Sequence, residues 1–408
     1  MEELDLLEFD FPTESPSILK VIGVGGGGGN AVTQMYNEGI RDVTFVLCNT
    51  DKQALMRSPI PVKVQLGPGR GAGGVPERGQ ELAEENIGEI KKMLSDETEM
   101  VFITAGMGGG TGTGASPIVA RVAKEMGILT IGIVTIPFMF EGIFKIVQAL
   151  KGVEEIRKDV DALLVINNER LRDIYYDLSL LDAFKKADDT LTIAVRSISE
   201  IITIPGYINL DFADVKTILK DGGVATMSSG LGKGKNRVSA AIDNALNSPL
   251  LNNNDIFKAK KILLNIVFGS RHPMMAEEIS EIHDFMAKFS PDIEVIWGTA
   301  LDDSLDEEIK IVILASGFGI ESILSISEKL DDAKLIEKYY GKEALLQIGR
   351  ATRPRPYPFI FTLDSIDDDD TIEAVISNPA YNRSEQIMLD IAKIAESRKI
   401  ALEEYMDR

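Results

Sequence analysis

Two glycine-dense stretches hold the residues best placed to do chemistry. "GVGGGGGN" over Gly23–Asn30 and "AGMGGGTGTG" over Ala105–Gly114 each follow an apolar run that reads as a buried strand. Glycine sacrifices backbone order, and in return it bares main-chain amides and lets a ligand approach them. Where such a run joins a strand to a helix, the amides and the helix N-terminus together form an anion site. Two of them would serve a chain of phosphates, with Thr111 and Thr113 adding hydroxyl donors. A third stretch, "GRGAGGVPE" over Gly69–Glu77, could close over a terminal phosphate. Tight turns alone are the plainer reading of all three. The P-loop pattern GxxxxGK[ST] is absent from both main stretches, so its lysine chemistry is absent too. The first stretch contains a GxGxxG match, and Asp51 ends the next apolar run. That combination keeps open an alternative, a Rossmann-type nucleotide-binding enzyme that does not polymerise.

The elements around these stretches alternate. Strands are expected at Ile18–Gly25, Asp42–Asp51 and in "EMVFITAG", "ILTIGIVTIPF" and "VDALLVINNERL". Helices are expected in "NAVTQMYNEGI" and "QELAEENIGEIKKML" and from about Pro117 to Met126. Near-continuous Ile/Val/Leu strands between helices indicate a parallel sheet covered on both faces. A long helix should run from near Leu180 to Ile202. Beyond it, "AKKILLNIVFG", "DIEVIWGTALD" and "EIKIVILASGFG" read as strands, with helices near Val238–Asn247 and Met275–Phe289. The expected fold class is therefore α/β: a Rossmann-like parallel-sheet domain, a long central helix and a smaller mixed α/β C-terminal domain.

Composition narrows the function. The 408 residues carry 64 acids against 43 bases, a net charge of −21. Such a surface repels nucleic acid and anionic lipid, so a phosphate ligand must be held by local features. One cysteine, Cys48, permits no internal disulfide and suggests a reducing, cytoplasmic setting. Two histidines argue against a transition-metal site. The acidic N-terminus does not resemble a secretory signal, and no run reaches the roughly 20 apolar residues of a membrane helix.

"GGGTGTG" is similar to the glycine motif of the tubulin/FtsZ superfamily. The resemblance, to its bacterial cell-division GTPases, runs from about Leu19 to Phe318. It includes "VIGVGGGGGNAV", "NTDKQAL", "AGMGGGTGTGASP", "PFMFEG", "LLDAF" and "PGYINLDFADV". It implies GTP/GDP as ligand, with Mg²⁺ bound mainly through the phosphates. By resemblance Gly25, Gly26, Gly27, Gly28 and Gly29, with Gly108, Gly109, Gly110, Thr111, Gly112 and Thr113, would cradle those phosphates. Asn30 would contact the guanine and ribose region, and Glu141 the ribose hydroxyls. Phe184 would stack on the base, unless it is a core residue. Asp188 would accept from the guanine ring N–H and amine, unless it lies on a solvated helix face, and Asn168 is a further base contact. The loop holding Asn209, Asp211 and Asp214 would enter the nucleotide site of the next subunit and orient the attacking water. A helix N-cap is the plainer reading of that pair, and the two are compatible. A head-to-tail contact that does not close generates filaments, and the resemblance implies those of the septal division ring at mid-cell.

The implied layout is a flexible segment (1–17), a GTP-binding domain (18–179), a central helix (180–204), a C-terminal α/β domain (205–319), a linker (320–370) and a partner-binding tail (371–408). In that tail Thr371–Arg383, "TIEAVISNPAYNR", is similar to the peptide by which relatives bind membrane-attached division adaptors. The "DSIDDDD" run before it reads as a solvated spacer. Three positions depart from the family pattern: Lys145 stands where many relatives carry arginine, Val75 replaces a usual asparagine, and Asn167 a proline. Lys145 keeps the charge near the nucleotide without arginine's two-pronged fork.

Overall fold

The computed structural model describes residues 17–175, 179–248, 256–318, 332–340, 368–378, 387 and 389–395. It divides into two units, one ending at Leu335 and one beginning at Ile336. The first unit opens with β1 (Leu19–Val24), α1 (Gly25–Asn37), β2 (Thr44–Asn49), α2 (Lys52–Arg57), β3 (Val62–Gln65), α3 (Pro76–Glu84) and α4 (Ile87–Leu94). It continues through β4 (Met100–Gly106), α5 (Gly110–Glu125), β5 (Leu129–Ile136), α6 (Ile143–Ile156), β6 (Ala162–Asn167) and α7 (Asn168–Ile174). Next come α8 (Leu180–Thr203), β7 (Gly206–Ile208), α9 (Phe212–Leu219), β8 (Gly223–Gly232) and α10 (Arg237–Leu246). The last are β9 (Lys261–Phe268), α11 (Ile279–Met286), β10 (Glu294–Leu301) and β11 (Ile309–Ser316).

The strands form one sheet in the order β3-β2-β1-β4-β5-β6-β8-β11-β9-β10-β7. From β3 to β6 every pair is parallel, as the apolar runs require. Past β6 the sheet is mixed: β11 runs antiparallel to both β8 and β9, while β10 is parallel to β9. The two halves meet through only two residue pairs, Ala162↔Gly223 and Leu163↔Val224. The larger join is α8, whose Ala187, Leu191, Ala194, Val195, Ile198 and Ile201 share one buried cluster with strands from both halves. Their spacing is that of a single helix face, and burying each large aliphatic side chain contributes about 1.5–3 kcal/mol. The expected parallel domain, long helix and mixed second half are all present.

Several boundaries differ from expectation. The glycine run Gly25–Gly29 is not a loop before α1 but its first turns, and α5 begins at Gly110, with Pro117 inside it. Glycine costs a helix about 1 kcal/mol per residue against alanine, but at several of these positions packing leaves no alternative. A Cβ on Gly28 would stand 2.2 Å from the Thr104 carbonyl oxygen, and one on Gly112 2.5 Å from that of Gly106. Gly28→Ala is thus expected to lower stability by about 1–3 kcal/mol, read as a fall in melting temperature. The single helix expected over "QELAEENIGEIKKML" is two, and "VDALLVINNERL" divides into β6 and α7. The sequence reading also lacks β8, "GVATMSSGLG", whose glycines and serines are poor strand formers. Two of those glycines let α10 lie flush on the sheet: a Cβ on Gly230 or Gly232 would come within 2.1 or 1.8 Å of a carbonyl oxygen of α10.

Helix α12 (Asp332–Tyr340) spans the division between the units, and α13 (Asp369–Ser377) belongs to the second. The acid run read as a spacer ends in structure: the Asp368 carboxylate caps α13 by accepting from the Thr371 amide at 3.1 Å. Asp369 and Asp370 fill the first turn, where the helix dipole favours negative charge. Pro379 and the rest of "PAYNR" lie outside the described residues. No helix among the described residues is long and apolar enough to cross a membrane.

Candidate functional site

The parallel register brings the ends of four adjacent strands to one edge: Val24 lies opposite Ala105, Gly106 opposite Thr135, and Ile136 opposite Asn167. Four segments therefore leave this edge side by side: the start of α1, the Gly106–Gly110 loop, the Pro137–Gly142 turn and Asn168. Strand order reverses at β1/β4, the crevice where open α/β sheets bind ligands.

The glycines here divide into two kinds. Gly25, at φ +75°, would set a Cβ 2.8 Å from the Gly112 nitrogen, so the two helix starts touch main chain to main chain. Gly27 abuts Gly106, Gly110 abuts Val75, and Gly108, at φ +100°, lies against Pro137 and Lys145. Gly29 meets only the Leu47 side chain, at ordinary contact distance. Gly26 and Gly109 have neither a left-handed backbone nor any atom within 4 Å of a would-be Cβ. Nothing in the chain itself requires glycine at these two places, and the bare main chain there is open to a ligand. Gly26→Ala and Gly109→Ala are expected to leave the melting temperature within a few degrees, yet weaken nucleotide binding about tenfold or more by occupying that space. Thermal unfolding and equilibrium binding, measured together, check the pair.

The hydroxyls of the second loop point in different directions. Thr111 Oγ1 lies 2.6 Å from Thr50 Oγ1 at the site edge. Thr113 is buried, and its Oγ1 accepts from the Gly108 amide at 2.8 Å, stapling the loop from within. Glu141 is held rigidly: Oε1 accepts from the Phe138 amide at 2.9 Å, and Oε2 takes the Lys145 ammonium at 2.7 Å. Phe184 is 39 % exposed, so it is not a core residue. It stands edge-on to Phe138 and Phe140, with ring centroids at 5.2 and 6.5 Å. Asn30 is exposed in α1.

Two of the candidate base contacts, among the described residues, offer an acceptor with no partner. Asn168 is 5 % exposed, and its Oδ1 accepts no hydrogen bond. Among the described residues no hydrogen bond or ion pair reaches the Asp188 carboxylate; burial, reinforced by the neighbouring Asp189 charge, pushes its pKa up to about 7. Leaving the buried Asn168 oxygen unsatisfied is costly, and a ligand donor would relieve it; the half-buried Asp188 carboxylate is open to a second donor. Asp189 is tied to Gln34 of α1, which holds this part of α8 against the first glycine helix.

Asn209, Asp211 and Asp214 are not part of this assembly. Asp211 caps α9, its Oδ1 accepting from the Ala213 and Asp214 amides, while Asp214 Oδ2 accepts from the Asp211 amide at 2.9 Å. Asn209 Oδ1 accepts from the Gly206 amide at 3.0 Å. The plain cap reading thus holds, and it leaves Asp211 and Asn209 exposed to solvent. Fifteen residues of α8 separate Asp188 from Thr203, about 22 Å at 1.5 Å per residue, and the acids lie beyond that end. Asp51, the ribose acid of the dinucleotide alternative, caps α2 by accepting from the Gln53 and Ala54 amides. Asn167 likewise caps α7, accepting from the Glu169 amide.

Some residues escaped sequence reasoning. Glu169 is buried and accepts from the Met139 amide at 2.8 Å, fixing the turn that carries Glu141. Gln148 bridges two glycine loops. Both act across long sequence separations and carry no local signal. Among the described residues no group of three or more His, Cys, Asp or Glu is gathered to hold a metal ion.

Comparison with known proteins identifies the family. Residues 18–176 match the Tubulin/FtsZ family, GTPase domain; residues 223–319 match the FtsZ family, C-terminal domain; and residues 353–398 match FtsZ, C-terminal. The chain is 49 % identical to the cell division protein FtsZ of Porphyromonas gingivalis, covering 96 % of this chain and 91 % of that one. It is 43 % identical to that of Aquifex aeolicus, over 79 % and 89 % of the two chains. Among solved structures, the empty FtsZ dimer of M. jannaschii aligns at a TM-score of 0.68 and 38 % identity, over 76 % of this chain and 90 % of that one. CetZ2 from Haloferax volcanii, at 20 % identity and a TM-score of 0.64, shares the fold. The chain belongs to the FtsZ family of tubulin-like cell-division GTPases.

Proposed function

We propose that this protein hydrolyses GTP at a site that two copies complete, stacked head to tail in the filaments of the division ring. The separation along α8 carries this reading: phosphate-facing amides and guanine-facing polar groups lie at one end, and water-orienting acids at the other. Amides at the starts of α1 and α5 hold the phosphates, while Asp188 and Asn168 take the donors of guanine. Phe184 stacks on the base, and Glu141, steadied by Lys145, accepts from the ribose hydroxyls. From the next copy, Asp211 and Asp214 orient a water in line with the terminal phosphate and Asn209 assists, giving GDP and phosphate. Mg²⁺ arriving on the phosphates would offset their charge, which matters in a chain of net charge −21.

Exposed apolar residues mark both ends: Tyr207 (90 % exposed) and Ile208 near the acids, and Phe140, Phe144 and Leu181 near the nucleotide loops. Unlike surfaces that meet end to end, with a rotation between copies that does not close, form an open filament. We place the protein in the cytoplasm at mid-cell, with Thr371–Arg383 engaging membrane-attached adaptors. Residues 18–179, 180–204 and 205–319 serve as GTP-binding domain, central helix and acid-bearing domain, flanked by a flexible segment (1–17), a linker (320–370) and a partner-binding tail (371–408). The test is turnover against dilution. GTP hydrolysis per molecule should collapse as the protein becomes monomeric; an undiminished rate in demonstrably monomeric protein would refute the shared site.

A further inference from the structure

The side-chain amide of Gln148, on α6, lies between two main-chain carbonyls. Its Nε2 donates to the Gly74 oxygen at 3.1 Å and to the Gly108 oxygen at 3.0 Å. Both partners are acceptors only, so the NH₂ end must face them, and its two hydrogens serve two carbonyls. Gly108 opens the second phosphate loop; Gly74 belongs to the tight turn Ala72–Val75. That turn is closed by the Val75 amide on the Ala72 oxygen at 3.1 Å, with φ of +61° at Gly73 and +78° at Gly74. It rests on the first residue of α5, since a Cβ on Gly110 would stand 2.8 Å from the Val75 nitrogen.

The peptide plane converts this contact into an orientation. In a trans peptide the C=O of one residue and the N–H of the next point in opposite directions. Aiming the Gly108 carbonyl at Gln148 therefore turns the Gly109 N–H away from it, at a glycine whose surroundings are open. We propose that Gln148 is a positioning residue of the nucleotide site: its amide clamps the Gly73–Gly74 turn to the Gly108 carbonyl, aiming the Gly109 amide at the phosphates and holding the turn over their terminal end. This rests on the nucleotide reading of the site. Gln148 is half-buried and lines a groove of about 720 Å³ shared by the Gly73–Val75 turn, α3, α5 and α6, so exchanging this side chain leaves no buried void.

The test uses the full-length protein at concentrations below assembly, with dissociation constants measured for GTP and for GDP. Gln148→Met keeps the side-chain length without donors; Gln148→Glu keeps the shape and turns a carboxylate on two carbonyls. Each is expected to melt within a few degrees of wild type while losing GTP affinity about tenfold, the scale of two lost hydrogen bonds. GDP, lacking the terminal phosphate under the turn, should lose less, so the preference for GTP over GDP falls. Wild-type affinities in both variants, or equal losses for the two nucleotides, would overturn the clamp. Failure of the wild type itself to bind either nucleotide would instead overturn the site reading beneath it.

Discussion

Two inactive variants should restore each other's activity. Asp211→Asn keeps a carbonyl oxygen that caps α9, because asparagine caps a helix about as well as aspartate. It removes the charge that would orient water, so turnover should fall about 10²–10⁴-fold at nearly unchanged stability. Asp211→Ala would confuse the two effects, since losing the cap costs about 1 kcal/mol as well. The complementary variant is Asp188→Ala, which spoils the guanine end and leaves the acids intact. Neither protein alone can build a working centre. Mixed one to one, a nucleotide held by the Asp211→Asn copy meets the acids of an Asp188→Ala copy in one pairing of four. The mixture should then recover about a quarter of the wild-type rate. If each variant is inactive and the mixture stays inactive while the proteins co-sediment, the two halves do not come from different copies. If Asp211→Asn alone turns over normally, the acids are caps and nothing more.

Guanine-nucleotide affinity should depend steeply on pH through Asp188. Its pKa, pushed up to about 7 from an ordinary 3.8, means that the empty protein holds a proton there in mild acid. In the proposed contact only the ionised carboxylate accepts both guanine donors, so binding must expel that proton. Between pH 8 and pH 6 the apparent affinity should fall about tenfold, flattening above pH 8. Stability without ligand runs the other way. A folded value above the unfolded one favours folding most below pH 4, and that contribution is lost as pH rises through about 7. The rise in melting temperature on adding GTP should therefore be larger at pH 8 than at pH 6. Asp188→Asn places an amide against the guanine donors; it should weaken binding about 100-fold at pH 8 and flatten the pH profile. An unchanged pH profile in that variant would show that another group titrates.

Much of this was legible in the chain itself. Apolar runs ending in glycine predict strands delivering bare amides to helix starts, and that rests on torsional freedom and periodicity, both local properties. The spacing of Asp211 and Asp214 is equally local, and it correctly allows a cap. What local pattern cannot carry is who stands opposite whom. Only the register of β1 on β4 reveals that Gly28 is excluded from any larger residue by a carbonyl 2.2 Å away, while Gly26 faces empty space. Only the packed loop turns Thr113 inward to its own backbone, and only the burial of Asp188 beside Asp189 moves its titration toward neutrality. Strand β8 was invisible because its glycines answer to α10 rather than to strand propensity. The sequence by itself determined the fold class, the glycine-rich junctions between strands and helices, and the family. Tertiary structure decided that α8 holds acids and amides apart, because the distance between two ends of a helix is set by its rigid length and not by the residue types at either end.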